Sequence, residues 1–168
     1  ITMEKSFHGR TFGALAATGQ KKFHEGFEPL LEKFTYVPFD DIAAVKKAVN
    51  DKTAAVMLEP VQGEGGVNVS SVKYMKKLRE FCTEAGIFLV FDEVQSGMGR
   101  TGKLFAYEHY GVTPDVMTLA KGLAGGVAIG AMLATDEAAS GFTPGAHAST
   151  YGGNPLATAA GVAALKCL

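Results

Sequence analysis

The chain contains no tryptophan and only two cysteines, Cys82 and Cys167, which lie far apart and belong to no CxxC pattern. A disulfide-stapled scaffold is excluded by that count, and reduced thiols in a cytosolic protein are the plain reading. Its four histidines, His8, His24, His109 and His147, show no metal-ligand spacing. Net charge is nearly absent at −1, and no basic run supplies a local field, which excludes nucleic acid and anionic membrane surfaces as expected partners. Long hydrophobic runs are missing too. The longest uncharged small-apolar stretch, 122–135, is glycine-rich and short of the about 20 residues a membrane span needs. No signal peptide is visible. Residue 1 reads as mid-strand and residue 168 as mid-helix, so both ends look cut and missing targeting signals prove little.

Glycine, by contrast, is plentiful at 21 residues, scattered at turns rather than gathered in a low-complexity tract. With 47% hydrophobic and 20% charged residues, a chain of 168 fits one soluble domain. Strand and helix patterns alternate. Candidate strands are 1–4, 34–38, 54–58, 87–91, 116–120 and 130–134; candidate helices are 41–49, 72–84 and 155–168. In 72–84 the apolar stripe is Val72, Met75, Leu78, Phe81 and Cys82, and Gly86 follows as a natural stop. The strands are near-continuous apolar runs, which predicts an α/β fold with a mostly parallel open sheet covered by helices on both faces. Ligands of such sheets bind beyond the carboxyl ends of the strands. Glu59, Asp92 and Lys121 each stand at or just past such an end.

Lys121 closes the run Val116-Met117-Thr118-Leu119-Ala120, and a charge there is costly unless neutralised or bonded. Asp92 closes Ile87-Phe88-Leu89-Val90-Phe91. A lysine and an aspartate at two core strand ends are the pair a pyridoxal phosphate enzyme needs, one for a Schiff base and one to keep the pyridine nitrogen protonated. Asp92-Glu93-Val94-Gln95-Ser96-Gly97-Met98-Gly99 then gives a polar, glycine-rich loop suited to a flat ligand. Taken alone, that loop reads equally as a solvated strand end leading into surface.

Five motifs occur in order: Phe7-His8-Gly9-Arg10-Thr11, Glu59-Pro60-Val61-Gln62-Gly63-Glu64, the Asp92 stretch, Leu119-Ala120-Lys121-Gly122, and Ser149-Thr150-Tyr151-Gly152-Gly153-Asn154-Pro155. Together they resemble the class III pyridoxal-phosphate-dependent aminotransferases along essentially the whole chain. Within the class they are most similar to the acetylornithine aminotransferases. The resemblance implies the large-domain sheet of fold type I enzymes, with residues 1–168 as a fragment of the pyridoxal 5'-phosphate-binding large domain. The N-terminal phosphate-binding segment and the C-terminal small domain would be absent from it.

The resemblance also implies roles. Lys121 carries the cofactor and moves protons, and Asp92 faces the ring nitrogen. Glu93, Val94 and Gln95 line the cofactor, with Gln95 near its ring oxygen. Phe7 stacks on the ring, although composition alone reads it as core packing. Arg10 clamps a substrate carboxylate. Glu64 pairs with an arginine from the missing C-terminal part, and Glu59 supports the site. Ser149 contacts substrate, and Thr150 reaches the phosphate of the neighbouring subunit's cofactor, which implies a homodimer with shared sites. On local grounds the same residues read as a helix-capping turn opened by Asn154 and Pro155, and His147 as structural. Ala128 and Ala148 depart from the proline and glycine usual there. The implied reaction moves the terminal amino group of N-acetylornithine to 2-oxoglutarate, in the cytoplasm, by two half-reactions. The alternatives are ornithine, 4-aminobutyrate or succinylornithine as donor, or a fragment inactive by itself.

Overall fold

The computed structural model describes residues 1–168. Its elements, in chain order, are β1 (Thr2–Met3), α1 (Phe12–Ala17), β2 (Tyr36–Val37), α2 (Ile42–Ala48), β3 (Ala55–Leu58), β4 (Val61–Gln62), β5 (Asn68–Val69), α3 (Val72–Ala85), β6 (Phe88–Asp92), β7 (Val116–Leu119), β8 (Ala131–Ala134), α4 (Asp136–Ala139) and α5 (Pro155–Leu165). The central sheet has the order β3-β6-β7-β8. β3, β6 and β7 run parallel, with Val56 opposite Leu89 and Phe91 opposite Met117, whereas β8 returns antiparallel with Ala131 opposite Leu119. β1 and β2 pair in parallel. They extend the same sheet, because Ile1 N donates to Ala55 O (2.9 Å) and Met57 N donates to Ile1 O (2.8 Å), the slanted pattern of a parallel pair. The α/β sheet is thus mixed but mostly parallel, and helices flank it.

The main core lies between the sheet and α2 and α3. Val56, Leu58, Leu89 and Phe91 meet Val45, Met75, Leu78 and Cys82 there, and all eight are fully buried. Each such aliphatic side chain stabilises the fold by roughly 1.5–3 kcal/mol. α3 starts where predicted: Ser71 Oγ accepts from Tyr74 N at 3.2 Å. It stops at Gly86, whose φ of 65° glycine adopts without the steric cost a Cβ would bring. The stripe differs in one place. Val72, in the first turn, stays 47% exposed, and Tyr74 is buried in its stead with its hydroxyl 3.8 Å from Met3 Sδ. Ser71→Ala is expected to lower stability by about 1 kcal/mol through loss of this cap, read as a shift in the chemical unfolding midpoint with no change at the site.

Burial on both faces of the sheet was expected from the apolar runs. Burial instead alternates along β3 and β7, and β8 is exposed throughout, with Met132 and Leu133 each 46% accessible. α1 escaped prediction because six residues are too few to display a helical period, yet it buries Leu15, Ala16 and Ala17. α5 uses small residues instead: Ala157 and Gly161 are buried, and Gly161 sits close under the carbonyl of Leu123. That contact seats the single 3-10 turn Lys121–Ala124 on the helix. No helix is long and apolar enough to cross a membrane.

Candidate active site

Asp92 ends β6 and is 5% exposed. A buried carboxylate must have its lone pairs satisfied, and three groups do so here. His8 Nδ1 lies 2.7 Å from Oδ2, Val94 N donates to Oδ1 at 3.0 Å, and Thr118 Oγ1 donates to Oδ1 at 3.3 Å. The His8 side chain is itself fully buried, and its Nε2 is 3.1 Å from Thr2 Oγ1, which continues to Ser6 Oγ at 3.3 Å. With Nδ1 as donor to the carboxylate, the imidazole fixes which way Asp92 faces. Sequence reading had set His8 aside for lack of metal spacing. The signal that could have found it was its place between Phe7 and Arg10 in one motif.

Lys121 follows β7 across Ala120 and opens its 3-10 turn with φ at +43°, a left-handed conformation that costs a side-chain-bearing residue about 1–2 kcal/mol. Its strand-end position had predicted burial. The turn corrects that: the backbone swings the residue out, and Lys121 is exposed on the rim of a cleft. Phe7, His8, Glu59, Glu64, Asp92, Val94, Gln95 and Lys121 together line a cavity of about 70 Å³. Val94, Gln95 and Lys121 also face an adjoining cleft of about 520 Å³, walled by Val61, Met98 and Arg100. A Cβ on Gly63 would occupy the place of the Gln95 amide, so glycine there is what lets Gln95 lie against the β4 loop.

Glu59 is 6% exposed, and its Oε2 is buried with no hydrogen-bond partner. Burial, and after it repulsion from Asp92, pushes its pKa up to about 8; the Phe7 backbone amide and Lys121 pull it down, and Glu64 adds to the rise. The folded protein therefore holds a proton that the unfolded chain, with its ordinary value of 4.5, has lost. Stability from this group is fully present below about 4.5 and falls as pH rises to about 8. Glu59→Gln is expected to remove that slope and to be more stable than the parent at pH 9 by about 5 kcal/mol. Unfolding midpoints measured at pH 5 and pH 9 check this. Parallel loss in both proteins would mean that Glu59 is ionised throughout.

Other expected residues lie elsewhere. Arg10 is exposed just beyond the cavity, with its Cζ 4.4 Å from the Phe23 ring centroid and 5.8 Å from that of Phe7. Glu93 faces neither cleft. Its carboxylate accepts from Ser96 Oγ (3.0 Å), Ala106 N (2.8 Å) and Tyr107 N (2.8 Å), so it anchors the 3-10 turn Ala106–His109 under the loop. Ser149 and Thr150 are exposed and are not brought to Lys121 within the chain. Ser149 lines a separate depression of about 690 Å³ with His147, Tyr151 and Asn154. Its Oγ accepts from Gly152 N at 3.1 Å, and Asn154 Oδ1 caps α5 through Ala157 N at 3.0 Å, as the capping-turn reading expected.

The sequence profile of the family described as Aminotransferase class-III matches residues 1–168. The acetylornithine aminotransferase of Caldanaerobacter subterraneus subsp. tengcongensis is 60% identical over 166 residues, 99% of this chain and 42% of the relative. That of Methanocaldococcus jannaschii is 54% identical over 168 residues, 100% of this chain and 42% of the relative. Among solved structures, the ornithine aminotransferase of Toxoplasma gondii crystallised with oxidized glutathione matches with a TM-score of 0.93 at 38% identity, over 98% of this chain and 39% of that one; its active site holds PLP at partial occupancy. The chain thus spans 42% of the length of the two curated relatives.

Proposed function

The chain belongs to the class III aminotransferase family, and from that membership we propose that it is the large-domain portion of a pyridoxal 5'-phosphate-dependent transaminase. The proposed reaction moves the terminal amino group of N-acetylornithine to 2-oxoglutarate in two half-reactions. One observation carries the reading. Asp92, a buried carboxylate held by three donors, lines the same cavity as the Lys121 amine.

The residues fit the ring end of that cofactor. Asp92 offers a fixed acceptor to a protonated ring nitrogen, Phe7 gives an apolar wall, and the unpartnered Glu59 Oε2 faces a polar ligand's place. When bound, the cofactor supplies an electron sink for the carbon that loses its proton. The chain's own groups do the rest. The Lys121 amine would hold the cofactor and, as a free amine, would take and return the proton that moves between carbons. Asp92, oriented by His8, keeps a proton on the ring nitrogen. Gln95 and Val94 line the ring, and Arg10 orients a substrate carboxylate. Glu93 holds the loop that carries these two side chains. Glu64, exposed at the cavity, receives the counter-charge that lets one site accept two different substrates. Ser149 and Thr150 serve the partner subunit's site in a homodimer, which is why they stand apart from Lys121 in one chain. A cytoplasmic location follows from the same reading.

Ornithine as the donor is the second reading, because a matching solved structure is an ornithine aminotransferase. The higher identity to acetylornithine aminotransferases favours the acetylated donor. Borohydride reduction of the intact protein with bound cofactor, followed by peptide mapping, tests the proposal: the label should fall on Lys121, and a label on any other lysine ends it. Rates with acetylornithine, succinylornithine, ornithine and 4-aminobutyrate then rank the donors.

A further inference from the structure

Arg10 has no carboxylate partner; the chain's close basic–acidic contacts join His8 to Asp92 and Arg79 to Asp115. It lies instead over an aromatic ring. Its Cζ lies 4.4 Å from the centroid of Phe23, a residue outside all five motifs, and the Phe23 ring meets Phe7 edge-to-face at 5.4 Å and 76°. Lys22 Nζ is 4.7 Å from the same centroid, so one ring carries two cations. A guanidinium stacked by its face keeps its N–H edge free for the two-pronged carboxylate bond, and stacking limits the rotamers of an otherwise floppy side chain.

The ring is not a loose surface group. Phe23 closes the 3-10 turn Lys21–Phe23, and residues on both sides of that turn tie it to the body of the fold. Before it, Gln20 Nε2 donates to Lys5 O (3.2 Å) and Ser6 O (3.1 Å), directly ahead of Phe7. After it, His24 Nε2 lies 2.7 Å from Thr18 O and 3.1 Å from Leu15 O, at the end of α1. The turn therefore holds its aromatic against the segment that carries Phe7 and Arg10.

We propose that Phe23 is a positioning residue for substrate carboxylate binding: its ring fixes the Arg10 guanidinium with its N–H edge free and couples it to Phe7. This rests on the reading of Arg10 as the carboxylate clamp. Lys22, over the same ring, adds positive charge beside the Arg10 guanidinium.

The test uses the intact holoenzyme and glutarate, a dicarboxylate that carries no reacting group. Phe23→Leu, and Phe23→Met as a second variant that keeps bulk without a π face, are expected to raise the glutarate Kd about tenfold. The KM for 2-oxoglutarate should rise to match while kcat changes less than about twofold. Phe23→Tyr should restore parental binding. Arg10→Ala should lose glutarate binding outright. If Arg10→Ala abolishes binding but Phe23→Leu and Phe23→Met bind like the parent, the inference fails and the Arg10 reading stands. If Arg10→Ala binds glutarate normally, the Arg10 reading fails and takes this inference with it. A fall in kcat at unchanged Kd, or a Phe23→Tyr variant as weak as Phe23→Leu, would assign the ring to packing alone.

Discussion

Lys121→Ala in the intact protein is expected to lower kcat by about 10⁴-fold or more, because in the proposed reaction the residue supplies both the attachment point and the mobile proton. Stability should hardly move. Lys121 is exposed and joins no ion pair, and a substitution at such a position changes stability by at most about 0.5 kcal/mol. Inactivity with an unchanged unfolding curve is therefore the expected pattern. Single-turnover measurements with amine donor, alongside urea unfolding, give both numbers from one preparation. A variant retaining more than about a hundredth of the parental rate would remove Lys121 from the chemistry.

Asp92→Ala should damage stability and activity together. The substitution leaves His8 Nδ1, Val94 N–H and the Thr118 hydroxyl without their acceptor, and His8 is fully buried. Leaving a buried donor without its acceptor costs about 1–3 kcal/mol, and three donors are orphaned here. Asp92→Asn separates the two effects. Its amide oxygen can still accept from His8, so most of the stability should return, but the charge that the proposed function sets against the ring nitrogen does not. Activity of the asparagine variant should stay down by about 10³-fold despite its recovered fold. If the asparagine variant were fully active, the carboxylate would be a structural acceptor for His8 and nothing more.

Much of this arrangement was legible because the informative residues stand at the ends of apolar runs. β3, β6 and β7 were found within a residue or so, and with them Glu59, Asp92 and the approach to Lys121. α3 was legible for the same reason: a long apolar stripe with a glycine stop. What failed was whatever depended on a single turn of backbone or on a partner distant in sequence. Lys121 was expected to be buried because a strand end usually is, and only the left-handed turn after β7 brings it out. His8 contacts Asp92 across 84 positions, a distance no periodicity reveals. Glu93 was grouped with its neighbours as lining the cofactor, but the two backbone amides that claim its carboxylate lie 13 and 14 residues further on. Ser149 lines a separate depression within one chain, and a role in a neighbouring subunit's site is not something one chain's fold displays.

The backbone at Lys121 sets local preference against chemistry. At φ +43° the residue most at ease is glycine, which has no amine. Lys121→Gly should therefore be slightly more stable than the parent, by about 1 kcal/mol. A variant library selected for thermal resistance alone would enrich glycine at this position and discard the enzyme while improving the protein. Only a selection that also demands turnover would keep the lysine.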